Sequence, residues 1–160
     1  MRMNHFICNN LITNKSMQKL LFLCSGNYYR SRFAEEYFNH LAELKGLKWQ
    51  ASSKGLSQNM PSPNNPGPVS IHAIEALDSR NVMGKGLRRF PRPVEENDFL
   101  NYQKIIALSE LEHKPMLKAR FNHHYDKIAF FEVGDLPLED PKSAMEKLSL
   151  LVDQLVQEIN

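Results

Sequence analysis

From residue 19 onward, short apolar runs alternate with longer stretches in which apolar positions recur every three or four residues. The first run, Leu20 to Leu23, is continuous and short, as expected of a strand buried on both faces. Ser31 to Leu44 places Phe33, Ala34, Tyr37, Phe38 and Leu41 at helical spacing, and Gly46 predicts its end. Lys48 to Ser52 reads as a second strand, Lys104 to Leu108 as a third and Lys127 to Phe131 as a fourth. Between them, Ile71 to Asp78, Val94 to Asn101 and Glu110 to Ala119 read as helices, and Ala144 to Ile159 as a closing helix. Gln58 to Pro68 carries four of the nine prolines and reads as a long ordered loop. Strand and helix in alternation predict an α/β fold. Its layers run α/β/α around a central four-stranded parallel sheet, with any ligand at the carboxyl ends of the strands.

The most informative segment is the joint between the first strand and the first helix, CSGNYYRS at Cys24 to Ser31. A loop wrapping from a strand end to a helix start turns backbone N–H groups inward, and the helix dipole adds positive potential. The result is a phosphate loop. Cys24 would sit on its floor, where N–H groups and a guanidinium favour the nucleophilic thiolate. Arg30 can grip two phosphate oxygens in a planar fork. Ser31 can donate a hydrogen bond to the sulfur. Gly26 would permit a positive φ, and Asn27 could turn left-handed or tie the loop through its amide. Ser25, Tyr28 and Tyr29 complete the loop. A cysteine at a strand end is ordinarily a small buried hydrophobe, and it is the surrounding pattern that separates the two readings.

CSGNYYRS followed by Phe33-Ala34-Glu35 resembles the signature loop of the low-molecular-weight protein tyrosine phosphatases. Trp49 to Gly55, Asn65 to Leu77 and Glu139-Asp140-Pro141 are similar to further segments of that family, so the resemblance spans residues 19–160. It implies a protein tyrosine phosphatase that hydrolyses phosphotyrosine monoesters in protein substrates through a cysteinyl-phosphate, with no cofactor and no metal. It also implies that Asp140 is the acid that protonates the leaving group and then activates water. Read without the resemblance, Asp140 is a turn residue or the N-cap of the last helix. Asp135 in Gly134-Asp135-Leu136-Pro137 is its rival.

This chain also departs from the family pattern. Tyr29 stands where many members have a second cysteine, so the loop itself offers no disulfide partner for Cys24. Lys142 and Ser143 replace two rim tyrosines, leaving Tyr28 or Trp49 as sources of aromatic contact. Leu108-Ser109 replaces a Met-Asp. Two alternatives follow: a weakly catalytic phosphotyrosine-binding module, suggested by the altered rim, and an arsenate reductase, which would need cysteines after Cys24 that the chain lacks.

Composition adds boundaries. The 160 residues suit one domain, with residues 1–18, including Cys8, expected to be a flexible extension and Met17 a candidate start. Two cysteines suit a reducing, cytoplasmic setting. A net charge of +2 is too small to argue for nucleic acid, which is not expected as a partner, and the cluster Lys85, Arg88, Arg89 and Arg92 reads as a solvated face or loop. No apolar run approaches the roughly 20 residues that span a bilayer. His123 and His124 have no further ligand at metal-binding spacing in the sequence, so no metal is expected.

Overall fold

The computed structural model describes residues 16–160. Residues 1–15 of the expected extension, Cys8 among them, therefore lie outside the described residues, and its last residue, Gln18, already belongs to a strand. The elements are β1 (Gln18–Cys24), α1 (Arg30–Lys45), β2 (Trp49–Gly55), α2 (Ile71–Asp78), α3 (Asp98–Asn101), β3 (Lys104–Ala107), α4 (Glu110–Phe121), β4 (Ile128–Phe130) and α5 (Pro141–Ile159). A 3₁₀ turn at Asn122–Lys127 links α4 to β4. The strands pair in the order β2-β1-β3-β4, all parallel. The expected α/β architecture is the observed one.

Central β1 explains its own composition. Leu20 and Phe22 pack on one face with Phe33, Phe38, Leu148 and Val152, beneath α1 and α5. Leu21 and Leu23 pack on the other with Phe99, Leu117 and Phe121. All four β1 residues are fully buried, so the strand reads as an unbroken apolar run.

Element ends depart from the sequence reading where partners outside the element decide them. β2 runs on to Gly55, because its register against β1 extends from Gln18↔Trp49 to Cys24↔Gly55. The helix expected from Val94 shrinks to Asp98–Asn101, since Pro93 forms a parallel bridge with Gly55 and holds the chain extended. α1 ends as expected at Gly46, whose φ of 65° is left-handed and whose N–H reaches back to the Glu43 carbonyl at 3.2 Å.

Candidate active site

Cys24 closes β1, and Arg30 opens α1, so residues 25–29 must turn the chain within five positions. Neighbouring backbone fixes that turn on two sides. The Leu56 and Ser57 N–H groups donate to the Cys24 and Ser25 carbonyls, each at 2.9 Å, and the Ser70 N–H donates to the Tyr28 carbonyl at 2.9 Å. Gly55 permits the close approach: a Cβ there would lie 2.9 Å from the Ser25 carbonyl oxygen. The left-handed residue of the loop is Asn27, with φ 48°. Gly26 does not take a positive φ, which corrects the sequence expectation; its Cβ would instead meet the Asn65 amide at 3.1 Å.

Asn27 is fully buried and holds the loop together. Its Nδ2 donates to the hydroxyls of Ser31 and Ser53, each at 2.9 Å, while its Oδ1 accepts from the Arg92 N–H at 3.0 Å. Because Asn27 supplies a donor to the Ser31 oxygen, the Ser31 proton is free for another acceptor. The Cys24 sulfur lies 2.9 Å from that oxygen. Arg89 adds contacts to Asn27 and to Glu35, so this member of the basic cluster supports the loop instead of forming a solvated face.

Arg30 is 1% exposed and its guanidinium is held end-on. Glu112 accepts from Nη1 at 2.8 Å and Nη2 at 2.9 Å, and the Val133 carbonyl accepts from Nη1 at 2.9 Å. Among the described residues Nε makes no hydrogen bond, so the Nε/Nη2 edge keeps donors for an oxyanion. Burial works against the Arg30 charge, but Glu112, Cys24 and Asp135 more than offset it and raise its pKa. Burial likewise pushes the Glu112 carboxyl up, yet hydrogen bonds from His113, Arg30 and Ser25 outweigh burial and hold it far below the usual carboxylate range.

The sequence reading leaves Glu112 as one residue of the helix expected over Glu110 to Ala119, yet Ser109-Glu110-Leu111-Glu112 has the form of a capping box. Only half of that box forms. The Ser109 hydroxyl accepts from the Glu112 N–H at 3.1 Å, but the Ser109 N–H goes to His113 Nδ1 at 3.1 Å. With its capping partner taken, the Glu112 carboxylate reaches Arg30 and Ser25 instead. It thereby supplies a carboxylate for the guanidinium in a chain that has Leu108-Ser109 in place of Met-Asp.

A cavity of about 710 Å³ opens above the loop. Cys24, Ser25, Gly26, Tyr28, Tyr29 and Arg30 line it, and Asp135 stands on its border. Asp135 Oδ2 lies 3.2 Å from Arg30 Nη2, and its Oδ1 accepts from the Leu136 N–H at 2.9 Å. Asp140 is elsewhere. It is the N-cap of α5, accepting from the Ser143 N–H at 3.1 Å, and it borders a separate groove with Lys142 and Arg80. The structure thus brings the rival Asp135, and not Asp140, to the cavity of Cys24. Pro141 occupies the first turn of α5, and the Asp140 oxygen satisfies an N–H that the helix itself cannot.

Of the two aromatic candidates, Tyr28 lines the cavity and donates its hydroxyl to the Pro66 carbonyl at 2.6 Å. Trp49 does not line it; it starts β2, at the end of the sheet opposite Cys24, and packs against the core. Tyr29 is 6% exposed and its hydroxyl has no partner among the described residues. Burial, aided by Asp135, pushes that hydroxyl up to about 12. Outside the cavity, His123 and His124 do have a neighbour that their spacing concealed, the Glu96 carboxylate. Among the described residues no helix is long and apolar enough to cross a membrane.

Comparison with known proteins agrees with this geometry. A family described as low molecular weight phosphotyrosine protein phosphatase matches residues 19–158. A protein-arginine-phosphatase of Bacillus subtilis (strain 168) is 30% identical over 109 residues, which are 68% of this chain and 67% of that protein. The crystal structure of a low molecular weight protein tyrosine phosphatase from T. tengcongensis is similar with TM-score 0.71 and 28% identity, covering 88% of this chain and 99% of that one. A cysteine-to-serine mutant of the YwlE arginine phosphatase, with a phosphorylated active-site serine, is similar with TM-score 0.72 and 25% identity, covering 88% and 95%.

Proposed function

The chain belongs to the low molecular weight phosphotyrosine protein phosphatase family, and on that premise we propose that it hydrolyses phosphotyrosine in proteins with Cys24 as nucleophile. The observation that carries this reading is the seating of the Cys24 sulfur. It lies beside the Ser31 hydroxyl and the Arg30 guanidinium on the floor of a cavity large enough for a side chain. The thiolate attacks phosphorus from one side while the bond to the phenolic oxygen breaks on the other. Arg30, through its Nε/Nη2 edge, and the loop amides hold the equatorial oxygens where charge accumulates. Asp135, at the cavity border, gives its proton to the departing phenolate. In the second half-reaction water attacks phosphorus, Asp135 takes a proton from it, and the sulfur–phosphorus bond breaks to return the thiolate. Inorganic phosphate leaves, and no metal or cofactor enters the cycle.

The walls support an aromatic substrate. Tyr28, Met60, Ile71 and Leu136 surround the cavity above the polar floor, and a phenyl ring would exchange water for apolar contact there. Two comparisons favour a second reading, phosphoarginine, because the 30% identical Bacillus relative is described as a protein-arginine-phosphatase and the 25% identical YwlE structure as an arginine phosphatase. The same thiolate would then displace a guanidine nitrogen.

The test is phosphate release from two peptides of one sequence, carrying phosphotyrosine or phosphoarginine. Turnover of the phosphotyrosine peptide, abolished in Cys24→Ser, is expected. Preference for the phosphoarginine peptide would replace the substrate assignment, and turnover retained in Cys24→Ser would overturn the nucleophile.

A further inference from the structure

We infer that Glu96, His123 and His124 form a binding site for a divalent transition-metal ion of the zinc class, away from the catalytic cavity. The two histidines sit next to each other in the 3₁₀ turn after α4, and Glu96 precedes α3 on a different crossover. Their Nε2 atoms converge on one carboxylate oxygen, Glu96 Oε1, at 2.5 Å from His123 and 2.6 Å from His124. The three donor atoms all lie within 4.8 Å of one another. Adjacent residues in a turn ordinarily send their side chains apart, yet these two rings have centroids 4.0 Å apart.

Convergence of this kind is what a tetrahedral ion requires. With metal–ligand bonds of about 2.0–2.1 Å, the ligand atoms stand roughly 3.3 Å from one another. The Glu96 oxygen stands closer than that to both Nε2 atoms and would have to move outward to admit the ion, and its half-exposed side chain is free to do so. His124 provides the rigid part of the site. It is 6% exposed, and its ring stacks on Phe99 at 4.7 Å with an interplanar angle of 4°, so its orientation is set by the core. Two imidazoles and a carboxylate, with no thiolate, select zinc, cobalt or nickel over the hard cations and over copper(I). Three protein ligands leave a fourth position to water. None of the three residues lines the Cys24 cavity. The ion would staple the turn before α3 to the turn before β4, two segments that the chain separates by more than two dozen residues.

Isothermal titration with zinc chloride tests this in the full chain carrying Cys24→Ser, which removes the loop thiol as a competing ligand. Glu96→Gln and His123→Asn change exposed side chains and leave the core intact. We expect a zinc site of micromolar affinity or better, weakened at least tenfold by either substitution. A rise in melting temperature of roughly 5 °C at a hundredfold excess over the wild-type Kd should accompany it and fall to about half or less in both variants at the same zinc concentration. Absence of binding would overturn the site, as would binding that neither substitution weakens.

Discussion

Glu112 of α4 meets Arg30 of α1 edge to edge, Oε2 at 2.8 Å from Nη1 and Oε1 at 2.9 Å from Nη2. The pair joins the helix after β3 to the helix after β1 across the carboxyl ends of the sheet. It fixes which edge of the guanidinium remains for an oxyanion. Glu112→Gln should keep the fold while losing one charge-assisted bond and leaving Arg30 under-compensated. The expected outcome is a loss of about 2 kcal/mol of stability, below the roughly 3–5 kcal/mol of a broken fully buried pair because Glu112 is partly exposed. With Arg30 less well aimed, kcat/KM for an aryl phosphate should fall by roughly 10- to 100-fold, since misplacing a positioned group costs about that much. Urea denaturation and steady-state kinetics check both.

The same pair sets an acid limit. Glu112 is held below its unfolded value of 4.5, so the unfolded chain takes up this proton before the folded one does. Its contribution is therefore complete above about pH 5.5, by the usual spread of about one unit around a titration, and shrinks as pH falls through 4.5 toward the depressed folded value. The stability gap between the wild type and Glu112→Gln should be constant from pH 6 to 8, a window more than about one unit above that titration. It should then close progressively below pH 4.5. A gap that instead widens in acid contradicts the assignment. Chemical denaturation across that range measures it.

Asp135 and Asp140 make opposite predictions. Asp135→Asn should slow turnover of an aryl phosphate with a poor leaving group by roughly 10²- to 10⁴-fold, the usual worth of a general acid, and slow an activated leaving group far less. Asp140→Ala should leave kcat within about twofold, as a cap remote from the chemistry, and cost about 1 kcal/mol through the lost cap of α5. Parallel kinetics and thermal melts of the two variants decide between them.

The elements that were legible in the sequence are those whose cause is local. The apolar run at Leu20 to Leu23, the periodicity of α1 and the stop at Gly46 all depend on nearby residues, and the loop between Cys24 and Ser31 carries its chemistry within eight positions. What escaped depends on distant partners. Asp135 and Asp140 lie five residues apart in similar proline-rich turns, and only the path of the chain from β4 to α5 decides which reaches the cavity. Glu112 was hidden because it is one residue of an expected helix, with nothing nearby in the chain to mark it. Its partners at the loop, Arg30 and Ser25, are 82 and 87 residues away in the chain. Gly26 and Asn27 are both candidates for a left-handed turn by residue type, and the hydrogen bonds of Asn27 to Ser31 and Ser53 select between them.

Asn27 should therefore be the least replaceable residue of the loop apart from those that do chemistry. Asn27→Ala places a Cβ residue without a polar anchor at φ 48° and strips donors from two buried hydroxyls. A loss of about 2–4 kcal/mol is expected from the strained backbone and the unpaired groups together. Asn27→Gly should recover about 1 kcal/mol of that by removing the strain alone. A shift of the urea midpoint at unchanged slope would report it.

The covalent intermediate offers the most direct measurement. The enzyme carrying Asp135→Asn, with water activation slowed, is mixed rapidly with 4-nitrophenyl phosphate, whose activated leaving group departs without the acid, then quenched and analysed by intact mass and peptide mapping. The account predicts one phosphoryl group per chain, on Cys24, formed and lost at rates that reproduce turnover. Turnover without any phosphoenzyme, or a phosphoryl group on another residue, would contradict it.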